Sequence, residues 1–290
     1  YEIPLRLVGS EMCIRDRVWT WWMDRHYPDF TYYNGEYYLN AGMSYQDLAE
    51  KLQNPDISHK KVKVTIPEGY TVFDIASTLE KKNVCSAKDF LKACSTTEGY
   101  DYDWLADFPK NDPHVGYILE GFLFPATYDF GENSKATDIA DAMLEAFDQR
   151  ITDEVKTYCK QRGYTLYQFV TLCSIVQKEA LSKSSQGNIA STLENRLDKG
   201  MKIECDVTYY YAKALRDHGF SQSVYDAYYT YRCPGLPAGP IANPGTEIMT
   251  ATVEHPSTDY LYFFSDLKGD FHFAATYGEF ESLKAKYPWK

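Results

Sequence analysis

Glu179 is the residue of this sequence best placed to act as a general acid. It closes the segment Ser174-Ile-Val-Gln-Lys-Glu179, at the end of a predicted helix. The apolar residues of that helix recur at helical spacing and predict a buried face; they are Phe169, Leu172, Cys173, Val176 and Ala180. Because residues three and seven apart share a helix face, the Glu179 carboxyl group should project close to apolar surface. Such a carboxyl group is harder to ionise, as an acid that donates a proton near neutral pH must be.

A structural interpretation of Glu179 is open at this stage. Lys183 follows at i,i+4, the favourable orientation for a Glu–Lys pair on a helix surface. Since glutamates are rarely buried, the helix alone favours this ordinary surface pair. Further motifs are needed to decide between the two roles.

Five segments, in order along the chain, carry a recognisable set of motifs. They are Leu119-Glu-Gly-Phe-Leu-Phe-Pro-Ala-Thr-Tyr128, Ser174-Ile-Val-Gln-Lys-Glu179, Glu194-Asn-Arg-Leu-Asp-Lys-Gly-Met201, Cys205-Asp-Val-Thr-Tyr-Tyr-Tyr211, and Tyr228-Tyr-Thr-Tyr231 followed by Gly235-Leu-Pro-Ala-Gly-Pro-Ile-Ala-Asn-Pro-Gly245. Together they resemble the motifs of the endolytic murein transglycosylases, the MltG/YceG-like family. The resemblance runs from about Gly35 to the C-terminus.

Departures from that family pattern also carry information. Gln177 replaces the first acidic residue of the helix motif, so it is not expected to supply an essential carboxylate. Ala126 and Val207 replace an Asp and a Pro, which are tolerable changes, and Tyr229 replaces an Asn. The change at Tyr229 argues against a specific polar contact there.

The resemblance implies cleavage of the MurNAc-β-1,4-GlcNAc bond within peptidoglycan strands. Glu179, at the position of the family's catalytic acid, would protonate the glycosidic oxygen. As a carboxylate it would then accept a proton from the MurNAc C6 hydroxyl, whose oxygen attacks the anomeric carbon to give a 1,6-anhydro sugar. This lyase chemistry needs one strong carboxylate, whereas ordinary glycosidases need two.

The family motifs also indicate substrate-binding positions. These are Glu120, Ser174, Asn195, Arg196, Asp206, Thr208, Tyr211, Tyr228, Tyr231 and Asn243. Glu120 and Asp206 would orient substrate or place negative charge near an oxocarbenium-like centre. From the residues alone, Glu120 fits equally well a carboxylate that binds backbone amides. Asn195 and Arg196 likewise fit the polar last turn of a helix.

Two other function classes are open. One is a hydrolase of the muramidase type, with Glu179 as acid and Asp206 as base or nucleophile. The other is a non-catalytic wall-binding or divisome scaffold, consistent with an internal repeat and with the changes at Gln177 and Tyr229. Intact Glu179, Asn195 and Asp206 argue against a scaffold.

Composition argues against several other chemistries. A net charge of −11 and a pI near 5.1, with no basic cluster that has interleaved aromatic residues, argue against nucleic-acid binding. Seven cysteines without a C-x-x-C pair, and histidines without H-x-x-x-H spacing, predict neither a zinc site nor a disulfide framework. No metal or other cofactor is expected. The 26 tyrosines include runs at 209–211 and 225–231 whose flat faces and polar tips suit a sugar-binding cleft.

The N-terminal residues carry a different kind of information. Glu11-Met-Cys-Ile-Arg-Asp-Arg17 is the translation of GAG-ATG-TGT-ATA-AGA-GAC-AG, which matches the end of a common transposase sequencing adapter. We interpret residues 1–17 as adapter-derived, and the alternative is a genuine basic N-terminal tail. Val18-Trp-Thr-Trp-Trp22 fits the aromatic edge of a preceding membrane anchor. The expected location is the outer face of a bacterial cytoplasmic membrane, held by that anchor, with peptidoglycan synthases as partners.

The elements that position these residues predict an α+β fold in two parts. Gly42–Leu52 aligns with Gly69–Leu79 as a repeat, and each unit (35–52 and 62–79) has a strand, near 37–39 or 62–66, and a helix capped by Ser44 or Thr71. These βα units resemble the family's LysM-like module, predicted over residues 18–111, which either binds glycan or serves as a spacer. The catalytic domain is predicted over 112–290. Its expected elements are a strand at 118–128, helices at 136–147 and 186–199 flanking the Glu179 helix, a rigid wall at 234–245, and closing strands at 260–264 and 270–273.

Overall fold

The structure, a computed structural model, describes residues 21–23, 25–28, 44–53, 61–180 and 182–289. The chain divides into two compact units, one of residues 1–62 with 129–133 and the other of residues 63–128 with 134–290. The predicted domain boundary between residues 111 and 112 stays a prediction. The segment 1–17 and the predicted strand at 37–39 lie outside the described residues. No helix in the described part is long and apolar enough to cross a membrane.

The two repeat units begin their helices in the same way. Helix α1 (Tyr45–Gln53) follows Ser44, whose N–H donates to the Asp47 carboxylate (3.1 Å) while the Asp47 N–H donates to the Ser44 hydroxyl (3.2 Å). Helix α2 (Val72–Lys81) follows Thr71, which forms the same reciprocal pair with Asp74 (2.9 and 3.2 Å). Strand β1 (Val62–Thr65) precedes α2. The two predicted caps are therefore confirmed, and the likeness to a LysM module stays a prediction.

The second unit is mainly helical. After α2 come α3 (Ala87–Ala93), a 3₁₀ turn (Asp103–Asp107), β2 (Thr127–Phe130), α4 (Ala136–Asp148), α5 (Asp153–Arg162), α6 (Leu166–Glu179), α7 (Lys183–Asp198), α8 (Asp206–Asp217), α9 (Gln222–Tyr228) and α10 (Thr246–Val253). The predicted helices at 136–147 and 186–199 are confirmed as α4 and α7. Gly200, which follows α7, adopts φ 66°, a conformation that ends helices.

Helix α6 is the central helix of this unit. It starts at a capping box in which Thr165 and Gln168 bond each other's backbone N–H groups. Apolar residues on all its faces are buried, from Tyr167 to Val176. The helix ends at Ala180, whose backbone is extended (φ −77°, ψ 105°). Glu179 therefore lies on the last turn, where α6 leaves the core.

Residues 118–126 form turns, so the strand predicted over 118–128 is wrong except at its end, where β2 begins. Gly121 adopts φ 88°, which breaks an extended chain. Glu120 is fully buried, and its carboxylate accepts a hydrogen bond from the Val72 N–H (2.9 Å). The apolar residues on either side of Glu120 in the sequence are buried together with its carboxylate.

The C-terminal residues form a hairpin backed by a helix. Strands β3 (Tyr262–Ser265) and β4 (Phe271–Ala274) pair antiparallel, with Phe263 opposite Phe273. Helix α11 (Tyr277–Lys286) packs on the hairpin through Phe280, whose ring centroid lies 5.4 Å from that of Tyr262. The predicted closing strands are confirmed. The mixture of helices and small separate sheets confirms the α+β class.

Candidate active site

Glu179 lines a cleft of about 520 Å³. The end of α6 forms one side of the cleft, and the turn before α8 and the hairpin with α11 form the rest. The lining residues are Lys178, Glu179, Arg196, Ile203, Glu204, Cys205, Asp206, Tyr231, Tyr262, Phe263, Phe264, Ser265, Phe271, Tyr277, Phe280 and Trp289. Of the predicted site residues, the cleft therefore brings together Glu179, Arg196, Asp206 and Tyr231.

The Glu179 carboxyl group is partly buried and poised to hold a proton. Burial raises its pKa to about 7, and the nearby charge of Asp206 adds to the rise. The neighbouring Cys205 thiol and Val207 backbone N–H oppose the rise. Lys183 pairs with Glu247 instead (2.9 Å), so the surface interpretation of Glu179 is wrong.

The carboxylate of Glu179 faces the N-terminus of α8. Asp206 is the first residue of α8, and Val207 carries one of the backbone N–H groups that have no partner within a helix. The positive end of the helix dipole favours the charged form of a nearby carboxylate. Asp206 also accepts a hydrogen bond from the Tyr231 hydroxyl (3.1 Å), which fixes Tyr231 at the cleft edge.

Arg196 braces the floor of the cleft. Its guanidinium group, 8% exposed, donates to the carbonyl oxygens of Lys202 (2.8 Å) and Leu261 (3.1 Å) and to the Glu204 carboxylate. These bonds tie the turn before α8 to the start of the hairpin. Since its donors already have partners, Arg196 is better suited to holding the cleft in shape than to capturing an anion.

Asn195 lies just outside the cleft. Its side-chain amide donates to the carbonyl oxygens of Thr258 (2.9 Å) and Tyr260 (3.0 Å), and so holds the chain that enters the hairpin. Thr208 is fully buried and donates to the Cys205 carbonyl (2.6 Å). Both residues support the cleft from behind, and contact of either with substrate stays a prediction.

The remaining predicted site residues lie in the core, where they join the motifs to each other. Asn243 accepts from the Leu123 N–H (2.8 Å) and donates to the Glu120 carboxylate (2.8 Å). Ser174 accepts from the Ile241 N–H (3.0 Å). The structure therefore does not bring Asn243, Glu120 or Ser174 to the cleft, and it gives the 234–245 loop a packing role.

Two tyrosines of the predicted set are also buried in the core. The Tyr228 hydroxyl accepts from the Gly116 N–H (3.2 Å), and the Tyr211 ring lies 5.3 Å from the Tyr228 ring. Neither lines the cleft. A substrate contact of these two residues stays a prediction without geometric support.

The aromatic wall of the cleft was missed by the sequence analysis. It comprises Tyr262, Phe264, Phe271, Tyr277, Phe280 and Trp289. Tyr277 and Trp289 are 60% and 48% exposed, which is unusual for large aromatic side chains. The signal was present as an aromatic-rich C-terminus, but the predicted strands did not indicate which face would meet Glu179.

A second cavity, of about 630 Å³, lies beside the start of α6. It is lined by Arg162, Tyr164, Gln168 and residues 236–238, among others. Its Asp198 forms an ion pair with Arg162 (2.7 Å), which is an ordinary surface pair. We take the Glu179 cleft as the candidate site because it combines a proton-holding carboxyl group with exposed aromatic rings. Among the described residues, no cluster of His, Cys, Asp and Glu could hold a metal ion.

Comparison with known proteins gives one consistent family. The model of the YceG-like family matches residues 3–286. The endolytic murein transglycosylase of Bacillus subtilis (strain 168) is 30% identical over 263 residues, covering 87% of this chain and 72% of that protein. The protein of the same name from Streptococcus pneumoniae serotype 2 (strain D39) is 29% identical over 266 residues, covering 83% of this chain; the chain spans 48% of that relative.

A solved structure shows the same fold. The crystal structure of a YceG-like protein from Listeria monocytogenes superimposes with a TM-score of 0.65 at 29% sequence identity. The match covers 92% of this chain and 90% of the Listeria chain. The likeness therefore extends over most of the chain.

Proposed function

Because this chain belongs to the YceG-like family, we propose that it is an endolytic murein transglycosylase with Glu179 as its general acid and base. The reaction is cleavage of MurNAc-β-1,4-GlcNAc bonds within peptidoglycan strands. The observation that carries the proposal is the Glu179 carboxyl group, which lies in a cleft and has a pKa raised to about 7. The names of the relatives support the reaction class.

The first step is proton donation. With a pKa of about 7, roughly half of the Glu179 side chains hold a proton at neutral pH. The protonated form donates to the glycosidic oxygen, so that the GlcNAc O4 leaves as a hydroxyl group and the MurNAc C1 becomes oxocarbenium-like. The Asp206 carboxylate, in the same cleft, stabilises that positive charge.

The second step returns the proton to Glu179. Its carboxylate accepts the proton of the MurNAc C6 hydroxyl while O6 bonds to C1, which gives 1,6-anhydroMurNAc. No water is consumed and Glu179 ends protonated, ready for another turnover. The Cys205 and Val207 donors stabilise the carboxylate between the two steps.

The aromatic wall supports attack by O6 over attack by water. Tyr277 and Trp289 present flat faces on which sugar rings can stack, as the apolar face of a pyranose does on an aromatic ring. A strand held there excludes water from C1 and keeps the C6 hydroxyl close to it. Intramolecular closure is then faster than hydrolysis.

The test is a digest of purified sacculi followed by mass spectrometry of the products. We expect anhydro ends, which lack one water relative to reducing ends. Glu179→Gln keeps the side-chain shape but transfers no proton, so turnover should fall by about 10²–10⁴-fold. Glu247→Gln, which alters an exposed carboxylate paired with Lys183, serves as the matched control and should keep activity.

One alternative is favoured by a specific observation. Asp206 lines the same cleft, so a muramidase with Glu179 as acid and Asp206 as base would use the same residues. Reducing ends in the digest would establish that hydrolase and overturn the lyase. A digest with no cleaved glycan, from a folded protein, would overturn both and leave a wall-binding scaffold.

The resemblance also supports a cellular setting. We infer that the enzyme acts on the outer face of a bacterial cytoplasmic membrane, held by an N-terminal anchor and close to peptidoglycan synthases, with residues 18–111 as a LysM-like module. Fractionation of cells that express the natural gene tests the location. Recovery of the protein in the cytosol would contradict it.

A further inference from the structure

Tyr229 stands where the family has Asn, and its surroundings give this change a meaning. Its half-buried ring lies 5.3 Å from the ring of Tyr231, 5.6 Å from that of Tyr209 and 5.8 Å from that of Tyr225. Tyr229 therefore lies at a junction between aromatic rings. This junction links the end of α9 to the first turn of α8.

The rings form a connected series that begins at the cleft. Tyr231 lines the cleft and is 40% exposed, and Tyr229 follows it. Tyr209 comes next, and Tyr210 lies 5.5 Å from Tyr209 and is 66% exposed. We call Tyr231, Tyr229, Tyr209 and Tyr210 the tyrosine track. Only Tyr231 of the four lines the cleft, so the track continues the binding surface beyond it.

Packing alone does not account for the exposed end of the track. A core tyrosine is buried, as Tyr211 and Tyr228 are. Tyr210, by contrast, leaves two thirds of its surface in water. An exposed series of rings that joins a cleft is typical of a binding surface.

The chemistry of the track fits uncharged sugar rings. Each tyrosine offers an apolar face for stacking and a hydroxyl group for a sugar hydroxyl. Beside the track, Arg232 forms an ion pair with Asp226 (2.6 Å), and the Lys202 ammonium donates to the Tyr231 carbonyl oxygen (2.8 Å). The four rings of the track carry no positive charge themselves, so the glycan backbone matches them better than an acidic stem peptide does.

We propose that the tyrosine track is an extended subsite that binds the glycan strand beyond the cleft. This inference rests on the proposed function, because the strand must reach Glu179. A strand long enough to occupy both cleft and track binds more tightly than a fragment that fills the cleft alone. The enzyme thereby binds long strands in preference to short fragments.

The test measures binding without turnover. In the Glu179→Gln protein, isothermal titration with peptide-free glycan strands of increasing length should show affinity rising with length. Tyr210→Ala and Tyr229→Asn, each added to Glu179→Gln, should weaken binding of the long strands about 3- to 10-fold, the usual worth of one aromatic stacking contact. Cleavage of long strands by the corresponding single variants should show a higher KM.

The matched control is Tyr102→Ala. Tyr102 also stacks on an aromatic ring, that of Trp104 (5.2 Å), but it does not line the cleft or join the track. It should leave the affinity for long strands unchanged. Because Tyr210 is exposed, Tyr210→Ala should unfold at the parent temperature, which keeps the test valid if Tyr229→Asn is unstable.

Three outcomes would overturn the inference. If both track variants bind long strands as tightly as their parent, the track is a packing cluster and the proposed function is untouched. If stem peptides rather than glycan lose affinity in the track variants, the occupant is peptide. If the Glu179→Gln protein binds no strand of any length, the inference and the proposed function both fail.

Discussion

At the scale of single residues, the protonation of Glu179 is set by four opposing contributions. Burial and the charge of Asp206 raise its pKa, whereas the Cys205 thiol and the Val207 N–H lower it. Burial dominates, so the pKa reaches about 7. An acid at that pKa both gives and takes a proton near neutral pH, which suits a residue that performs both steps.

Of these four contributions to the pKa of Glu179, that of Cys205 is the easiest to test by substitution. Cys205→Ala removes the S–H donor, so the pKa of Glu179 should rise and the alkaline limb of the kcat–pH profile should move to higher pH. Cys205→Thr supplies a stronger O–H donor and should move that limb to lower pH. The pH dependence of kcat on long glycan strands measures both shifts.

The two Cys205 variants control each other. Cys205 is buried, so the Ala variant should lose about 1 kcal/mol of stability, whereas Thr is a preferred residue at the N-cap of α8 and should keep it. A loss of stability could therefore not explain shifts of the alkaline limb in opposite directions. Shifts in the same direction would show that Cys205 does not bond to Glu179.

Gln177 tests whether the first acidic position of the family motif matters here. Its side-chain oxygen accepts from the Gly245 N–H (3.0 Å) at the N-cap of α10, and it does not line the cleft. Gln177→Glu keeps that acceptor, and the helix dipole favours the new charge, although the Glu68 carboxylate lies beside Gly245. We expect stability within about 1 kcal/mol of the parent, with activity little changed and at most a modest shift of the pH optimum.

Thermal unfolding and the sacculus digest measure these two quantities. A large gain in activity would show that the family's first acid is needed and that the chain is impaired as it stands. Loss of activity with normal stability would place Gln177 in the mechanism.

Only part of the site could be predicted from residue types and spacing. Glu179 could be predicted because the apolar stripe of a helix and a family motif indicate the same position. Ser174, Glu120 and Asn243 carry the same motif signal, yet they hold loops together in the core. A residue in a motif can be required either for contact with substrate or for packing. Only the fold shows which of the two applies.

At the scale of elements, local signals were sufficient where they acted locally. The apolar stripe of α6 lies within one helix, and α6 formed as predicted. Residues 118–126 were predicted to form a strand because a continuous apolar run does not distinguish a strand from a buried turn. Their conformation depends on Asn243 and Val72, which are distant in sequence.

Two glycines, Gly121 inside that turn and Gly99 outside it, separate the cost of local strain from the cost of close approach. Gly121 (φ 88°) and Gly99 (φ 91°) adopt the same left-handed conformation, so Ala costs roughly 1–2 kcal/mol at either one. A Cβ at Gly121 would also lie 2.5 Å from Pro240, whereas a Cβ at Gly99 meets nothing within 4 Å. Gly121→Ala should therefore lose about 1–3 kcal/mol more than Gly99→Ala.

Chemical denaturation of both variants measures this difference. Equal losses would mean that the turn and the Pro240 loop separate at little cost. In that case the 234–245 segment would not be the rigid packing element described above.

At the scale of the whole molecule, two acidic side chains with raised pKa values lie in different places for different reasons. Glu179 lies in the cleft and is proposed to do chemistry, whereas Glu120 is fully buried and joins α2 to the Asn243 loop. Burial raises the pKa of each to about 7. A raised pKa therefore does not by itself identify a catalytic acid, and the open cleft makes the difference.

Both carboxyl groups make the stability of the protein fall as pH rises. Their folded pKa values lie near 7 and their unfolded values near 4.5, so between these values the folded state binds more protons than the unfolded state. The contribution is fully present below about pH 4.5 and is lost as pH passes 7, amounting to at most about 3 kcal/mol for each group. Calorimetric unfolding between pH 4.5 and 8 should show a falling Tm.

The Glu179→Gln variant isolates one of the two contributions, because Gln does not titrate and the decline between pH 4.5 and 7 should become shallower. His255, whose pKa is raised mainly by its hydrogen bond to Glu194 (2.9 Å), adds a loss only above its unfolded pKa of 6.5, and it is the same in both proteins. Asp112 and Asp266, whose pKa values are lowered, change the stability only below about pH 4, so they do not affect the slope between pH 4.5 and 7. Identical slopes in the parent and the variant would mean that Glu179 ionises freely in water. The proton donor of the proposed reaction would then lack the buried setting on which its chemistry depends.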